Sequence, residues 1–140
     1  MSVAYLLDTN VLSELRKSAP DRNVANWARA NNEAGIYISA LAIGEIRHGI
    51  EKVRDRDPRQ ADALEAWLDT LVAGYQDRVL PVTVAVADEW GQLKAMSPPP
   101  PAIDGLMAAT AKVNHLTLVT RNVADVSGTG VPLINPFTNG

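Results

Sequence analysis

Four acidic residues stand where apolar, strand-like runs give way to helices, a position from which carboxylates can bind cations. Asp8 directly follows an apolar run, Glu45 lies early in a helical pattern, Asp104 opens another helical pattern after four prolines, and Asp125 follows the apolar run 116–119. Parallel α/β sheets place ligands and catalytic groups at the carboxyl ends of their strands. We therefore expect these four side chains to converge although they are far apart in sequence.

Several carboxylates at one edge repel each other, and a divalent cation supplies the missing counter-charge. Mg²⁺ and Mn²⁺ prefer oxygen ligands and keep several waters, so a few carboxylates suffice. Paired ions of this kind flank a phosphodiester, activate a water and stabilise the leaving oxygen. The chain has two histidines and no cysteine, which excludes disulfides, zinc thiolate sites and cysteine nucleophiles.

Each acid also has a structural interpretation. Asp8 and Asp104 are both suitable helix N-caps, Asp104 especially so after a run of prolines. Glu45 flanks the apolar face of its helix, where it meets either water or a groove, and Asp125 lies in a polar, glycine-containing loop, where acids are common. The joint pattern, rather than any one residue, favours a metal site.

Short apolar runs alternate with helical patterns along the chain. Strands are predicted over 3–7, 36–38, 78–82, 116–119 and 131–134, and helices over 11–16, 23–32, from a Ser39 cap onward, from about 60 to 74, over 84–96 and over 104–114. Such alternation requires crossover connections and a mainly parallel sheet. We expect an α/β fold, a three-layer α/β/α domain that covers 1–140 as a single unit.

The composition fits one globular domain. Of 140 residues, 46% are hydrophobic and 21% charged, and no apolar run is long enough for a membrane span. The net charge of −3 does not suggest a nucleic-acid binder, but without the four candidate site carboxylates the remaining charge is slightly positive. No targeting segment is evident, so a cytoplasmic protein without membrane contact is expected.

Four segments resemble the acidic motifs of PIN-domain ribonucleases. They are LDTNVLSEL at 7–15, ISALAIGEIRHGI at 38–50, DGLMAATA at 104–111 and LVTRNVAD at 118–125. In this order they are most similar to VapC-type toxins of bacterial toxin–antitoxin pairs, in the FitB-like branch. The similarity extends over about 5–137, nearly the whole chain.

The resemblance implies a Mg²⁺- or Mn²⁺-dependent endoribonuclease that hydrolyses RNA phosphodiesters with metal-activated water. Asp8, Glu45 and Asp104 match the three family acids that hold metal, and Asp125 matches a more variable fourth acid. It also implies a homodimer that a small antitoxin inhibits. Such antitoxins join a DNA-binding head to a tail that crosses the active site, so operator DNA is contacted only through the antitoxin.

Four further residues are candidates for support or substrate contact. The resemblance places Asn122 near the fourth acid, where it would orient a metal-bound water. The Thr9 hydroxyl either supports Asp8 or serves the helix start. Arg121 either binds phosphate or forms a structural salt bridge, and Arg47 either contacts an RNA phosphate or an antitoxin acid, or is simply solvated.

A magnesium-binding, receiver-like signalling module without nuclease activity is the alternative function. That class also holds a cation at a sheet edge, but it needs adjacent acids after the first strand and a lysine after a late strand. Here Thr9 and Asn10 follow Asp8, and the late strand is followed by Thr120, Arg121 and Asn122. The sequence therefore favours the nuclease.

Overall fold

The computed structural model describes residues 3–138, in which strands and helices alternate. The strands are β1 (Ala4–Leu7), β2 (Gly35–Ser39), β3 (Val79–Leu80), β4 (Thr117–Val119) and β5 (Leu133–Ile134). The helices are α1 (Thr9–Arg16), α2 (Arg22–Ala30), α3 (Ala40–Arg54), α4 (Pro58–Tyr75), α5 (Val84–Lys94), α6 (Ala102–Val113) and α7 (Val123–Val126). A short 3₁₀ turn, Gln76–Arg78, leads into β3.

The five strands form one sheet in the order β3-β2-β1-β4-β5, and every neighbouring pair is parallel. With helices packed against the sheet, this confirms the predicted three-layer α/β/α class with a parallel sheet. Because β1 is central, it is buried: Leu6 is 0% exposed and Leu7 is 3% exposed. Whatever follows β1 is consequently presented at the middle of the carboxyl edge.

Helix α6 packs closely against the sheet because its inward residues are small. Met107, Ala108, Ala109 and Ala111 are all 0% exposed, and α6 contacts both β4 and α5. Small side chains let a helix approach its neighbours without leaving voids. This close packing fixes the start of α6, where Asp104 lies.

Two of the predicted helix starts are capped as expected. The Asp8 side chain accepts a hydrogen bond from the Thr9 amide, so α1 begins at Thr9 rather than Val11. Ser39, 0% exposed, accepts from the Leu41 amide at 3.0 Å and starts α3.

Asp104 is not a cap, contrary to one sequence interpretation. Helix α6 begins at Ala102 after Pro101, and no side chain caps it. Pro101 is still extended, with ψ 149°, but its ring holds φ at −54°, near the helical value, so the helix can follow it without a side-chain cap. Asp104 is therefore in the first helical turn, where a negative charge interacts favourably with the helix dipole.

The sequence predicts the two edge strands to be longer than they are, and it does not predict α7. β3 and β5 contain only two residues each, next to Pro81 and near Pro132, which cannot donate a ladder hydrogen bond. The segment predicted as a polar loop around Asp125 is instead a four-residue helical turn, α7, anchored by the buried Val126. Within residues 3–138, no helix is both long and apolar enough to cross a membrane.

Candidate functional site

The register of the sheet aligns the ends of three neighbouring strands. Leu7 pairs with Val119, and Val119 pairs with Ile134, so the last residues of β1, β4 and β5 form one row. The residues that follow, Asp8, Thr120 and Asn135, form the next row along the carboxyl edge. This row is where the topology concentrates polar side chains.

Asp8 is the best-fixed acid of the edge. It is 5% exposed, its Oδ1 accepts from the Thr9 amide at 2.8 Å, and its Oδ2 accepts from the Thr120 hydroxyl at 2.7 Å. Neither oxygen is saturated by these bonds, because a carboxylate offers about four lone-pair sites. The remaining lone pairs are available to a ligand, while the two bonds prevent rotation of the carboxylate.

Thr9 connects the start of α1 to α3. Its hydroxyl donates to Glu45 Oε1 at 2.5 Å, across 36 residues of sequence. Glu45 is exposed, so this bond is what directs its side chain toward Asp8. The predicted contact from the Thr9 hydroxyl to Asp8 is therefore wrong: the hydroxyl binds Glu45, and only the Thr9 backbone amide donates to Asp8.

Asp104 lies among the other three acids. Partial burial raises the pKa of its carboxyl, the charges of Asp8, Asp125 and Glu45 raise it further, and a hydrogen bond from the Asn122 side chain lowers it. Such like-charge repulsion requires the carboxylates to be neighbours in space. The structure therefore brings all four predicted acids to one edge, although they lie on different elements and only Asp104 and Asp125 are fewer than 37 residues apart in sequence.

Thr120 is a functional residue that the sequence analysis did not single out. It is 1% exposed, and its hydroxyl donates to Asp8 and accepts from the Asn122 amide at 3.0 Å. Asn10 also links the residues that follow β1 to those that follow β4, because its side chain accepts from the Arg121 amide at 3.2 Å. A threonine directly after an apolar strand, opposite Asp8 in the predicted parallel sheet, is the feature that points to this role.

The two candidate arginines differ from each other. Arg47 donates to Glu65 at 2.6 Å and to Glu51 at 3.3 Å, so it belongs to an ion-pair network between α3 and α4. Arg121 is exposed at the carboxyl edge, and its guanidinium lies 4.4 Å from the centre of the Phe137 ring. Of the two, only Arg121 is placed beside the acids.

The carboxyl edge offers oxygen ligands for a hard cation, but these ligands are not already arranged as a metal site. In the part of the chain that the structure describes, no three Asp, Glu or His side chains already form a metal-binding group. Mg²⁺ nevertheless uses one or two direct carboxylates and reaches others through its waters. An oxygen-rich edge whose acids repel each other, with Asp8 already oriented, fits such an ion.

Comparison with protein families gives a match over most of the chain. The PIN domain family model matches residues 5–124, which include all of Asp8, Glu45 and Asp104 and end one residue before Asp125.

Known relatives and a solved structure agree with that match. "VapC ribonuclease Y4jK" of Sinorhizobium fredii is 32% identical over 94% of this chain and 96% of its own length. "Toxin FitB" of Neisseria gonorrhoeae is 31% identical over 94% of this chain and 97% of its own. A chain from the solved structure of FitAB bound to the IR36 DNA fragment superposes with a TM-score of 0.84 and 27% identity, over 97% of both chains.

Proposed function

This chain belongs to the PIN domain family, and we propose that it is an endoribonuclease toxin of a toxin–antitoxin pair, dependent on Mg²⁺ or Mn²⁺. The observation that carries the proposal is the convergence of Asp8, Glu45, Asp104 and Asp125 at one sheet edge, where partial burial and the charges of the other three acids raise the pKa of Asp104. The relatives named as a ribonuclease and a toxin, similar over nearly their full length, support the substrate class and the biological role.

The four acids are the proposed metal-binding and catalytic residues. Asp8, oriented by Thr9 and Thr120, and Asp104, held at the first turn of α6, are best placed to contact a cation directly. Glu45, directed by the Thr9 hydroxyl, and the exposed Asp125 complete the negative surface. A bound divalent cation would supply Lewis-acid polarisation of a phosphodiester and lower the pKa of a bound water.

The chain's own groups then account for the positioning of the RNA and for the ionised state of Asp104. An RNA phosphate approaching the edge meets the exposed Arg121, whose guanidinium suits bidentate contact with phosphate oxygens. Asp104 would bind the cation in its ionised form, because a bound cation would offset the burial and like-charge repulsion that raise the pKa of its carboxyl without metal. Asn122 remains the candidate for orienting a water, from its position beside Asp104.

The receiver-like alternative gains no support. Thr9 and Asn10, in place of a second acid, are engaged with Glu45 and with the Arg121 amide respectively. Arg121 rather than a lysine follows the late strand, and it rests on Phe137.

The proposed partners are a cognate antitoxin and, through its head, operator DNA. The FitAB structure described above, which has a DNA fragment bound, contains a chain similar to this one and supports the assignment. As an RNA-cleaving toxin, the protein would act in the cytoplasm, with its RNA substrate.

We also propose that 1–140 form one PIN domain, including the part beyond the matched segment. β5 pairs with β4, and the Asn23 side chain of α2 donates to the Phe137 carbonyl at 2.8 Å, so the C-terminal segment packs onto the same sheet.

The test is cleavage of single-stranded RNA by the purified protein. Cleavage in Mg²⁺ or Mn²⁺ that stops in EDTA and returns when the ion is restored is expected. Cleavage at an undiminished rate in EDTA would contradict the metal dependence, and an inert wild type with either ion would contradict the nuclease itself.

A further inference from the structure

A second polar surface lies on the same sheet edge, two strands away from Asp8. Asn135 follows β5 in the row that also contains Asp8 and Thr120, and the Thr120 amide donates to the Ile134 carbonyl at 2.9 Å. Neighbouring strands lie about 4.8 Å apart, so Asn135 is about 10 Å from Asp8 along the edge. That separation suits a nucleotide next to the one whose phosphate lies at the acids.

Asn135 forms one wall of a pocket of about 450 Å³ between α2 and the segment after β5. The pocket is lined by Asn23, Asn26, Trp27, Asn135, Pro136 and Thr138, together with the end of β5. None of these side chains carries a charge. The lining therefore suits a neutral ligand that forms hydrogen bonds, and it does not suit a free phosphate or a cation.

The pocket retains donors and acceptors that the protein does not use. Asn23 donates to the Phe137 carbonyl at 2.8 Å, and Asn135 Oδ1 accepts from the Phe137 amide at 3.0 Å. Among residues 3–138, Asn23 Oδ1 and the side-chain NH₂ groups of Asn26 and Asn135 have no hydrogen-bond partner. A carboxamide that offers both acceptor and donor groups is the side chain that pairs with the edge of a base.

The walls are flat and rigid. Trp27 is held edge-to-face against Tyr5, with ring centroids 5.1 Å apart and an interplanar angle of 81°. Pro136 is buried. Aromatic surfaces are the usual platforms for the bases of single-stranded RNA, whose splayed bases are read by hydrogen bonds to their edges.

The side chain of Arg121 connects the pocket to the acids. Arg121 follows Thr120 and lies on the Phe137 ring, and Phe137 in turn is bonded to Asn23 and Asn135 of the pocket. A strand of RNA with one phosphate at the acids and the next near Arg121 would direct a base toward this pocket.

We infer that the pocket between α2 and the segment after β5 binds one nucleobase of the RNA, and that it sets a base preference at one position beside the cleaved bond. The inference rests on the proposed ribonuclease function and deepens it, since it assigns a specificity-determining surface to the same edge.

The first test is Asn26→Ala. Asn26 is exposed on α2, and alanine is the best helix former, so the variant is expected to fold. Wild type and variant are compared on a pool of RNAs of random sequence, and the cleaved ends are sequenced. The base preference at one position beside the cut should weaken by about 10-fold in the variant, the size expected for one amide contact to a base edge. Asn32→Ala, an exposed asparagine just past the other end of α2, is the matched control and should keep the wild-type preference.

An unchanged cleavage profile in Asn26→Ala would overturn the inference while leaving the ribonuclease intact. A second measurement needs no catalysis. The amide NH₂ resonances of Asn26 and Asn135 and the Trp27 indole resonance are followed in EDTA while each of the four nucleoside 5′-monophosphates is added. Selective perturbation by one or two of the four supports the pocket even if cleavage fails, and the absence of any perturbation by all four contradicts it.

Discussion

At the residue scale, Thr120 has a role that depends on its hydroxyl. It donates to Asp8 and accepts from the Asn122 amide, so its loss removes one of the two hydrogen bonds that orient the Asp8 carboxylate, a proposed metal ligand. We predict that Thr120→Val lowers the kcat for RNA cleavage by about 10-fold or more, since small errors in placement cost that much. The loss of these two hydrogen bonds also costs about 0.5–1.5 kcal/mol of stability for each bond.

A matched control separates these two effects. Thr110 is 0% exposed, and its hydroxyl donates to the Leu106 carbonyl within α6. Thr110→Val removes a buried hydroxyl away from the acids and should retain wild-type kcat. If both variants lose activity in proportion to their lost stability, Thr120 has only a structural role.

We expect ionised Asp104 to lower the free energy of unfolding of the metal-free protein. Burial and the neighbouring carboxylates raise its pKa above the ordinary value of 3.8, so the ionised form is less favourable in the folded protein than in the unfolded chain. Without metal at neutral pH, Asp104→Asn should therefore raise the melting temperature by about 1–3 °C while abolishing cleavage. Melting curves in EDTA measure this.

The gain in stability from Asp104→Asn should depend on pH. The destabilisation by ionised Asp104 is fully present above its raised pKa, and it disappears as the pH falls below 3.8, where the group is protonated in both states. The advantage of Asp104→Asn should therefore vanish in acid. An advantage that grows as the pH falls would refute like-charge repulsion as its cause.

At the scale of elements, an ion-pair network joins α3 and α4. Arg47 and Arg54 both contact Glu65, at 2.6 and 2.8 Å, and Arg54 also contacts Glu51 and Asp62. These contacts raise the pKa of both guanidinium groups, so the arginines stay charged at all ordinary pH values. The network fixes the helix that carries Glu45.

We predict that Arg47→Ala leaves cleavage within about 2-fold of wild type, because its guanidinium is already committed to carboxylates. The variant should melt slightly earlier at low salt, with a difference that shrinks as salt screens the pairs. A large loss of RNA affinity would contradict this prediction. It would instead support the contact with an RNA phosphate that the sequence analysis considered for Arg47.

The sequence predicts the elements well where a pattern is long and poorly where it is short. The helix at Ser39 and the buried first strand follow from a cap and an apolar run, and both are confirmed. α7 spans four residues, too few for a periodicity, and depends on the burial of Val126 against the rest of the fold. The position of the site could be predicted from the ends of the predicted strands. The hydrogen bonds of Thr120 and Asn10 could not, because they depend on the register of β1 and β4.

At the scale of the whole molecule, one apolar surface has no cover within residues 3–138. It contains Val84, 88% exposed, Val82, 43% exposed, and Ile103, 39% exposed, and the last two line a groove shared with Glu45. Exposed apolar surface of this kind favours an interface. The homodimer implied by the resemblance is a proposed occupant, and the surface is where a second copy would bind.

Sedimentation equilibrium tests that assignment. Val84→Glu should weaken the dimer by about 10-fold or more, because it places a charge on the most exposed of these apolar residues. Val72→Glu, on an exposed part of α4, is the control and should leave the dimer intact. Equal dimerisation of both variants would place the interface elsewhere.

The central claim is that remote carboxylates share one divalent cation, and Mn²⁺ binding measured by electron paramagnetic resonance tests it most directly. The wild-type protein should bind Mn²⁺, whereas Asp8→Asn should lose most of that affinity while keeping its fold by circular dichroism. Asp69→Asn, an exposed acid on α4, should bind as the wild type does. Equal Mn²⁺ binding by the wild type and Asp8→Asn, or none by the wild type, would contradict the account.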